Sequence, residues 1–343
     1  MAFAPFLIPL TALALSLALF GVFVSLAGAD ALAVYQSIYR GAFGTWFSWQ
    51  NTLVSAAPLM LTALCTALPA RMGLIVIGGE GAVVLGGLAA ALTGLILIDT
   101  NAWLALSGMA LAAMLAGGLL IGLVGWLRHS RNVNETISSL LFNYISIAIL
   151  SFLVIGMLRD PETLNKPSTH HIGEEHMLGA LGETSIHWGF AYGVIACLIM
   201  WLLLKRTTFG FAVDMIGGNL RAARLSGLPV GRNIFLVCLM GGAAAGLAGM
   251  VEVAAVHGRA NTSLNAGYGY EGILIAFAAR HHPLAIIPMA ILFGGIRASS
   301  GLMQRDHDLP DATGLVLQGM IFILLLASEA VFARRAMNKG SKT

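Results

Sequence analysis

The sequence has few charged residues and few cysteines. Asp, Glu, Lys and Arg make up only 10% of its 343 residues, whereas roughly 25% is usual for soluble domains. Its three cysteines, Cys65, Cys197 and Cys238, lie inside apolar runs and lack the spacing of a disulfide framework or a zinc site. The composition therefore excludes an ordinary soluble domain and a disulfide-stabilised secreted domain.

Short motifs that carry chemistry are also missing. The sequence contains no GxxxxGK[ST] phosphate loop, so we do not expect it to hydrolyse ATP, and it contains no HExxH, GxSxG or CxxC. We expect neither an enzyme activity nor a metal or cofactor bound by this chain. The net charge of +3 does not predict nucleic-acid binding, because the basic residues lie in loops where membrane topology accounts for them.

What the sequence does contain is a series of long apolar runs. It is 58% hydrophobic, with 41 glycines, and runs of about 20 apolar residues are long enough to cross a bilayer as helices. We predict an all-α polytopic membrane protein with one transmembrane domain over residues 1–343, and a first span that is retained rather than cleaved as a signal peptide. The amphipathic, aromatic-rich stretch 30–50 is expected at the membrane interface. About ten spans are predicted, at 5–28, 52–70, 73–98, 102–127, 136–158, 188–204, 233–256, 267–279, 283–298 and 309–332.

The distribution of charge predicts the orientation of these spans. With the N-terminus and the basic loop 205–232 inside, thirteen Lys and Arg residues fall inside, including those of the tail 333–343, and six fall outside. The segment 159–187, which carries five carboxylates, falls outside and is predicted to be a periplasmic loop. Because cytoplasmic loops are enriched in Lys and Arg, both termini are predicted to be cytoplasmic.

The third predicted span is interrupted by the sequence IGGEG. Gly78, Gly79 and Gly81 weaken a helix there, so we predict that it is broken. A carboxylate at Glu80 is costly in hydrocarbon and needs a partner or a cavity. Two interpretations fit: a broken helix that lines a polar substrate pathway, or glycines that permit close packing around a structural hydrogen bond of Glu80.

Polar residues also enter the fifth predicted span, in NVNETISSLLFNY. Asn132 with Glu135 fits an N-terminal capping box, and Asn134 is an alternative cap. Asn143 is the least expected residue inside the bilayer, because an unpaired amide there is costly. It either lines the pathway or forms a hydrogen bond between helices.

Two further carboxylates, Glu252 and Glu271, flank a loop rich in Gly and Asn that is either a turn or a re-entrant segment. Nothing places a nucleophile or a metal beside them, and His257 is five residues away from Glu252, so we expect no catalytic role. Glu271 is also explained by a helix N-terminus, where the helix dipole favours a carboxylate.

The basic loop contains GGNLRAARLSGLP, which predicts a short helix bounded by glycines. On such a helix Arg221 and Arg224 share one face, and Leu220, Ala223 and Gly227 share another. The small residues of the second face favour close docking against a cytosolic protein. The alternative is an anchor to lipid headgroups, for which basic residues are sufficient.

Four stretches carry a resemblance to a known family: residues 52–81, 132–144, 217–228 and 267–299. The sequence resembles permease subunits of bacterial ATP-binding cassette (ABC) importers, in the class of ribose and branched-chain amino acid permeases, and within it the nucleoside permeases that work with basic membrane lipoproteins. Where the family's third-span motif has Asn and Gln, Val76 and Ala82 stand here. The resemblance implies a coupling helix for the ATPase, with the candidate residues Asn219, Arg221, Ala222, Ala223, Arg224 and Gly227.

The resemblance further implies transport across the inner membrane of a small polar solute, such as a nucleoside or a related purine or sugar. It implies three protein partners: a periplasmic or lipid-anchored binding protein, a second permease subunit, and a cytosolic ATPase that binds ATP and Mg²⁺. The candidate pathway residues are Gly78, Gly79, Glu80, Gly81, Asn143, Glu252 and Glu271. An alternative is an ion-coupled secondary transporter with Glu80 or Glu252 as its proton site.

Overall fold

The protein is helical throughout most of its length. The computed structural model describes the backbone of residues 4–163 and 166–340 and the side chains of residues 11–163 and 166–328. The side chains of the tail 333–343 and of the start of the first predicted span lie outside these ranges. The α-helices are α1 (Ala4–Leu26), α2 (Ala31–Phe43), α3 (Trp46–Ala70), α4 (Gly79–Ile96), α5 (Ala102–Arg131), α6 (Glu135–Ile155), α7 (Gly189–Arg206), α8 (Thr208–Gly218), α9 (Leu220–Leu225), α10 (Val230–Val251), α11 (Tyr268–Ala278), α12 (Pro283–His307) and α13 (Thr313–Gly340).

Several helices are long and apolar enough to cross a membrane. Within the described residues there are seven of them, namely α3, α4, α5, α6, α7, α10 and α12, and an eighth span is possible if α1 and α2, bent by 117°, count as one. These helices confirm a polytopic helical membrane protein. The remaining two predicted spans correspond to α11, which has only 11 residues, and to α13.

One compact unit consists of the chain up to Ser55 together with the chain from Ile291 onward. In it α1 packs against α13, and the Tyr35 hydroxyl of α2 donates to the Leu17 carbonyl of α1. The Ser37 hydroxyl and His307 Nε2 form a second hydrogen bond of 2.9 Å, between α2 and α12. The amphipathic stretch predicted for the membrane interface is thus α2 and the beginning of α3.

The second unit, Ala56–Ala290, is built around α4, α5 and α10. These three helices approach each other at glycines: a Cβ added to Gly86 would lie 2.4 Å from the Cα of Gly246, and one added to Gly117 would lie 2.4 Å from the Gly242 carbonyl oxygen. Small residues let helix backbones approach closely in membranes, where dispersion contacts rather than water drive association. Larger side chains at these glycines would separate the helices.

The turn between α5 and α6 corrects one sequence prediction. Asn134, the alternative cap, is the N-cap of α6, and its side chain accepts from the Thr136 and Ile137 N–H groups at 2.9 and 3.1 Å. The capping box of Asn132 with Glu135 is wrong, because Asn132 ends α5 in the left-handed conformation with φ 53°. Glu135 instead pairs with Arg128 at 3.2 Å.

The polar segment 159–187 folds over the end of α10. Its backbone N–H groups at Thr169, Ile172 and Leu178 donate to carbonyls of Ala260, Gly258 and Ala254 at 2.9, 2.9 and 2.7 Å. His176 is buried, with Nδ1 2.8 Å from the Ile172 carbonyl and Nε2 3.3 Å from the Thr100 carbonyl. Main-chain hydrogen bonds therefore join this segment to the stretch that follows α10.

Candidate functional site

Residues 74–77, the extended segment before α4, lie outside any helix, and side chains of α6 form hydrogen bonds with them. Ser139 Oγ accepts from the Ile77 N–H at 3.0 Å, and Thr136 Oγ1 donates to the Ile75 carbonyl at 2.8 Å. An extended chain inside a membrane cannot pair its backbone groups with itself, so other parts of the protein must supply the partners. The third predicted span is accordingly extended over its first residues and helical from Gly79.

Asn143 forms two hydrogen bonds to this segment. Its Nδ2 donates to the Ile77 carbonyl at 2.9 Å, and its Oδ1 accepts from the Gly81 N–H at 2.6 Å. Of the two interpretations left open by the sequence, this geometry fits hydrogen bonding between segments, since Asn143 is fully buried. Thr136, Ser139 and Asn143 are three and four residues apart, so they share one face of α6.

The Glu80 carboxylate accepts from the backbone at the beginning of α11. Oε1 accepts from the Gly267 N–H at 2.8 Å and Oε2 from the Gly269 N–H at 2.6 Å. Glu80 also lies in the first turn of its own helix, α4. One buried carboxylate therefore lies at the N-termini of two helices, where the helix dipoles stabilise negative charge.

These two helices lead to opposite sides of the second unit. The far end of α4 lies against the segment 159–187, since a Cβ added to Gly94 would be 3.0 Å from Ile172. Beyond the far end of α11, His282 interacts electrostatically with Arg71 and Lys205, which follow α3 and end α7. The 18-residue helix α4 and the 11-residue helix α11 thus meet N-terminus to N-terminus at Glu80.

Three of the four glycines around Glu80, namely Gly78, Gly81 and Gly269, lie in contacts too close for a side chain. A Cβ added to Gly81 would lie 2.8 Å from Asn143 Oδ1, and one added to Gly269 would lie 2.1 Å from the Glu80 backbone nitrogen. A Cβ on Gly78 would meet Ile121 at 2.7 Å, whereas the nearest atom to one on Gly79 would be 3.4 Å away. This arrangement fits the close-packing interpretation of IGGEG.

The two other candidate carboxylates, Glu252 and Glu271, lie far from Glu80 in the sequence and belong to different kinds of helix. Glu271 is buried in the first turn of α11, as its helix-terminus interpretation predicted. Glu252 begins a π-helical turn, and its Oε2 lies 3.7 Å from His257 Nε2. In a π-helix residue i bonds residue i+5, so two residues five apart share a face. The sequence argument, which used α-helical spacing, had separated this pair.

His187 lies at the beginning of α7, outside the predicted span. Its Nδ1 accepts from the Gly189 N–H at 3.1 Å, which requires that this nitrogen be unprotonated. Burial lowers the pKa of the His187 imidazole to about 4, because desolvation penalises its charged form.

The loop between α7 and α10 forms the two short helices α8 and α9. Asn219 is the N-cap of α9, accepting from the Arg221 and Ala222 N–H groups at 3.0 and 3.1 Å. Gly227 follows α9 with φ 77°. The predicted glycine-bounded helix is therefore present, and Arg221 and Arg224 are both exposed on it.

The small-residue face predicted for this helix is different in the structure. Ala223 is fully buried against the protein itself, so it is not part of an outward docking face. The apolar residue that projects furthest from α9 is Leu225, which is 90% exposed. Leu220 is 40% exposed and Gly227 lies beyond the end of α9, so the three residues of the predicted face do not form one surface. The sequence did not indicate which side of α9 packs inward.

A contact that the sequence did not suggest joins this loop to the turn before the extended segment. Arg71 forms an ion pair with Asp214 of α8 at 3.3 Å. Gly217 lies against the same turn, since an added Cβ would be only 2.0 Å from the Arg71 carbonyl oxygen. A basic residue at the end of one span and an acidic residue in a basic loop are the only signals of this contact.

No cluster of metal ligands is found in the described part of the chain: no three or more His, Cys, Asp or Glu side chains are grouped to hold an ion. The three cysteines, all within the described ranges, are buried and not joined in disulfides. The geometry of the site is one of backbone hydrogen bonds to the side chains of Glu80 and Asn143.

The sequence was compared with known proteins. Residues 48–326 match the family described as branched-chain amino acid transport system / permease component. The chain is similar to a glucose ABC transporter permease protein of Haloferax volcanii, at 30% identity over 93% of this chain and 86% of the relative. It is similar to a guanosine ABC transporter permease protein of Bacillus subtilis, at 28% identity over 98% of this chain and 97% of the relative. It is also similar to a nucleoside ABC transporter permease protein of Lactococcus lactis, at 24% identity over 97% of this chain and 96% of the relative.

Proposed function

The chain belongs to the family of permease components of branched-chain amino acid transport systems and is a permease subunit of an ABC importer, and from this premise we propose that it forms the membrane pathway for a nucleoside. Two relatives similar over nearly their whole length are permeases for guanosine and for nucleosides. A third is a glucose permease, so a sugar is the second candidate solute. The comparisons give no support for the ion-coupled alternative.

The observation that carries the proposal is the meeting of α4 and α11 at Glu80. Broken helices that meet inside the bilayer recur at the solute sites of transporters, because their ends place backbone groups next to a pathway. We propose that Glu80 and Asn143, with Gly78, Gly79 and Gly81, lie behind the residues that contact the solute and hold the backbone of the pathway wall in place. Glu252 and Glu271, which come later in the sequence, are proposed to support other parts of the pathway wall.

We propose ten spans for the membrane topology. The proposed ten are the seven long helices, the bent pair α1–α2, α13, and α11 together with residues 258–267, which lead into it. The excess of Lys and Arg in alternate loops then supports cytoplasmic termini and an inner-membrane location, with residues 159–187 in the periplasm. The whole chain is proposed to act as one permease domain surrounded by lipid.

The cytosolic partner is proposed to be an ATPase that binds ATP and Mg²⁺ and docks on α9. Leu225 is 90% exposed, beside the basic residues Arg221 and Arg224. An exposed leucine flanked by arginines is suited to insertion into a groove with acidic edges. A second permease subunit and a solute-binding protein complete the proposed importer, and no nucleic acid takes part.

Reconstitution tests the proposed function directly. The chain, purified with its ATPase, second permease and binding protein, is placed in liposomes, and uptake of labelled guanosine and of labelled glucose is measured with and without ATP. ATP-dependent uptake of guanosine is expected. Uptake that survives without ATP but stops when the ion gradient is collapsed would mean secondary transport.

The docking surface is tested by substitutions on α9. Leu225→Asp should abolish the stimulation of ATPase activity by loaded binding protein, while Ser130→Asp, on the exposed end of α5, should not. A bulky substitution at Gly227 should have the same effect, with Gly227→Asn as its control because Asn tolerates positive φ. Full stimulation in Leu225→Asp would reject α9 as the coupling helix.

A further inference from the structure

Three basic residues line a cavity beside the beginning of α10. The cavity has a volume of about 480 Å³, and its walls come from the end of α5, from α9 with the turn that follows it, and from the first turn of α10. The basic residues are His129, Arg224 and Arg232, and no acidic residue of the described chain lines this basic cavity. Its volume lies within the range of about 300–1,000 Å³ that is usual for small-ligand sites.

The cations of the basic cavity differ from a neighbouring one in having no acidic partner. Arg128, one residue before His129 on α5, pairs with Glu135 at 3.2 Å. Within the described residues, no carboxylate forms an ion pair with His129, Arg224 or Arg232. All three side chains are exposed, so an anion from outside the chain has access to them.

Two of these residues lie at the end of α10 where positive charge is least favourable. Arg232 is the third residue of α10, whose first turn contains no acidic residue and whose N-cap, Pro229, offers no side-chain acceptor. The His129 ring lies against the same turn, since a Cβ added to Gly231 would be 2.4 Å from its Nε2. Because the N-terminus of a helix carries partial positive charge, cations placed there are unfavourable. The positive charge around the basic cavity is therefore not balanced by the protein itself.

We propose that the basic cavity binds a phosphate group, either of an anionic lipid headgroup or of a soluble phosphate. The guanidinium groups of Arg224 and Arg232 match the geometry of phosphate oxygens, and phosphate balances the charge at the beginning of α10. The proposed topology places this cavity at the cytoplasmic membrane surface, where basic pockets between transmembrane helices bind phosphate headgroups. The ligand is distinct from the transported solute, so this proposal does not depend on which solute the permease carries.

Thermal unfolding of the full chain, purified in detergent, tests the binding and its source. Phosphatidylglycerol, which is anionic, is compared with zwitterionic phosphatidylcholine, and inorganic phosphate is compared with chloride at equal ionic strength. A ligand that binds only the folded chain raises the unfolding temperature, and the dependence on its concentration gives a Kd. Stabilisation by phosphatidylglycerol alone would identify a lipid headgroup, and stabilisation by inorganic phosphate would identify a site open to soluble phosphate. No stabilisation beyond that of the two comparison compounds would overturn the proposal.

Substitutions inside and outside the basic cavity test the location. Arg232→Gln should raise the Kd about tenfold, as expected for the loss of a hydrogen bond to a charged group. Arg224→Gln, on a different helix, should have a similar effect, so the test does not depend on the folding of one variant. The control is Arg131→Gln, since Arg131 is the exposed last residue of α5 and does not line the cavity; its Kd should stay within about twofold of the wild type. A similar Kd for the control and the two cavity variants would mean diffuse attraction of charge and would overturn the proposal.

Discussion

Replacing Asn143 by alanine should show how much the stability of the extended segment depends on its hydrogen bonds to α6. The substitution removes the donor to the Ile77 carbonyl and the acceptor for the Gly81 N–H, at 2.9 and 2.6 Å. The Gly81 N–H would remain buried and the Ile77 carbonyl partly buried, and each buried polar group left without a partner costs about 1–3 kcal/mol. The expected loss of stability is therefore about 2–6 kcal/mol.

Ser146→Ala is the matched control. Ser146 is buried on the same helix, but its hydroxyl donates only to the Phe142 carbonyl of its own helix. Its loss leaves no group of the extended segment unpaired, so the expected change is within about 1 kcal/mol. The two variants thus differ in whether the interaction between α6 and the extended segment is lost.

The assay combines thermal unfolding of the purified transporter with hydrogen exchange of peptides that cover residues 74–82. Asn143→Ala should lower the unfolding temperature more than Ser146→Ala and should speed exchange at Gly81, whose N–H has lost its acceptor. Exchange at Gly81 that stays at the wild-type rate, with equal unfolding temperatures for the two variants, would refute the assignment of these hydrogen bonds.

Two further predictions concern the loop between α7 and α10 and the residue His187, which precedes α7. Gly217→Ala should uncouple ATP hydrolysis from transport, because its Cβ would lie 2.0 Å from the Arg71 carbonyl oxygen. Gly218→Ala is the control: no atom lies within 4 Å of its added Cβ, so this variant should behave as wild type in a combined ATPase and uptake assay. Equal behaviour of the two variants would contradict the contact between Gly217 and Arg71. His187, with its pKa lowered from 6.5 to about 4, binds a proton in the unfolded chain before it does so in the folded chain. Its contribution of about 3 kcal/mol is therefore complete above pH 6.5 and is lost as the pH falls toward 4. Unfolding temperatures measured from pH 7 to pH 4 should fall more steeply in the wild type than in His187→Gln, and parallel curves would disprove this.

The broken third span could be predicted from the sequence because its signal is local. Three glycines and a carboxylate within four residues are incompatible with an ordinary lipid-facing helix. The partner of Glu80 could not be predicted in the same way. Gly267 and Gly269 lie far along the chain, and only the tertiary fold brings their N–H groups to the carboxylate.

The pairing of Glu252 with His257 was missed for a different reason. A separation of five residues places two side chains on different sides of an α-helix, and no feature of the sequence announced a π-helical turn. The orientation of α9 was missed because alanine is compatible with both a packed and an exposed face. Ala223 is buried where α9 packs against α8 and α10, an arrangement that only the tertiary fold determines.

Two asparagines fit the N-cap position of α6, so the capping motif alone could not identify the cap. Asn132 and Asn134 both precede the helix at plausible distances, and both are good N-cap residues. The choice was made by the end of α5, which uses Asn132 in the left-handed conformation. In a short connection the same residues can end one helix or begin the next. A capping motif that considers only the second helix cannot show which of these roles a residue has.

The double hydrogen bond of Glu80 also has a consequence for charge selection. In transporters built from broken helices, a free helix N-terminus attracts the carboxylate or phosphate of an anionic solute. Here the N–H groups of Gly267 and Gly269 are already bound to the protein's own carboxylate, and the negative charge of Glu80 repels a second anion. We therefore expect the pathway to admit neutral nucleosides and sugars and to reject nucleotides.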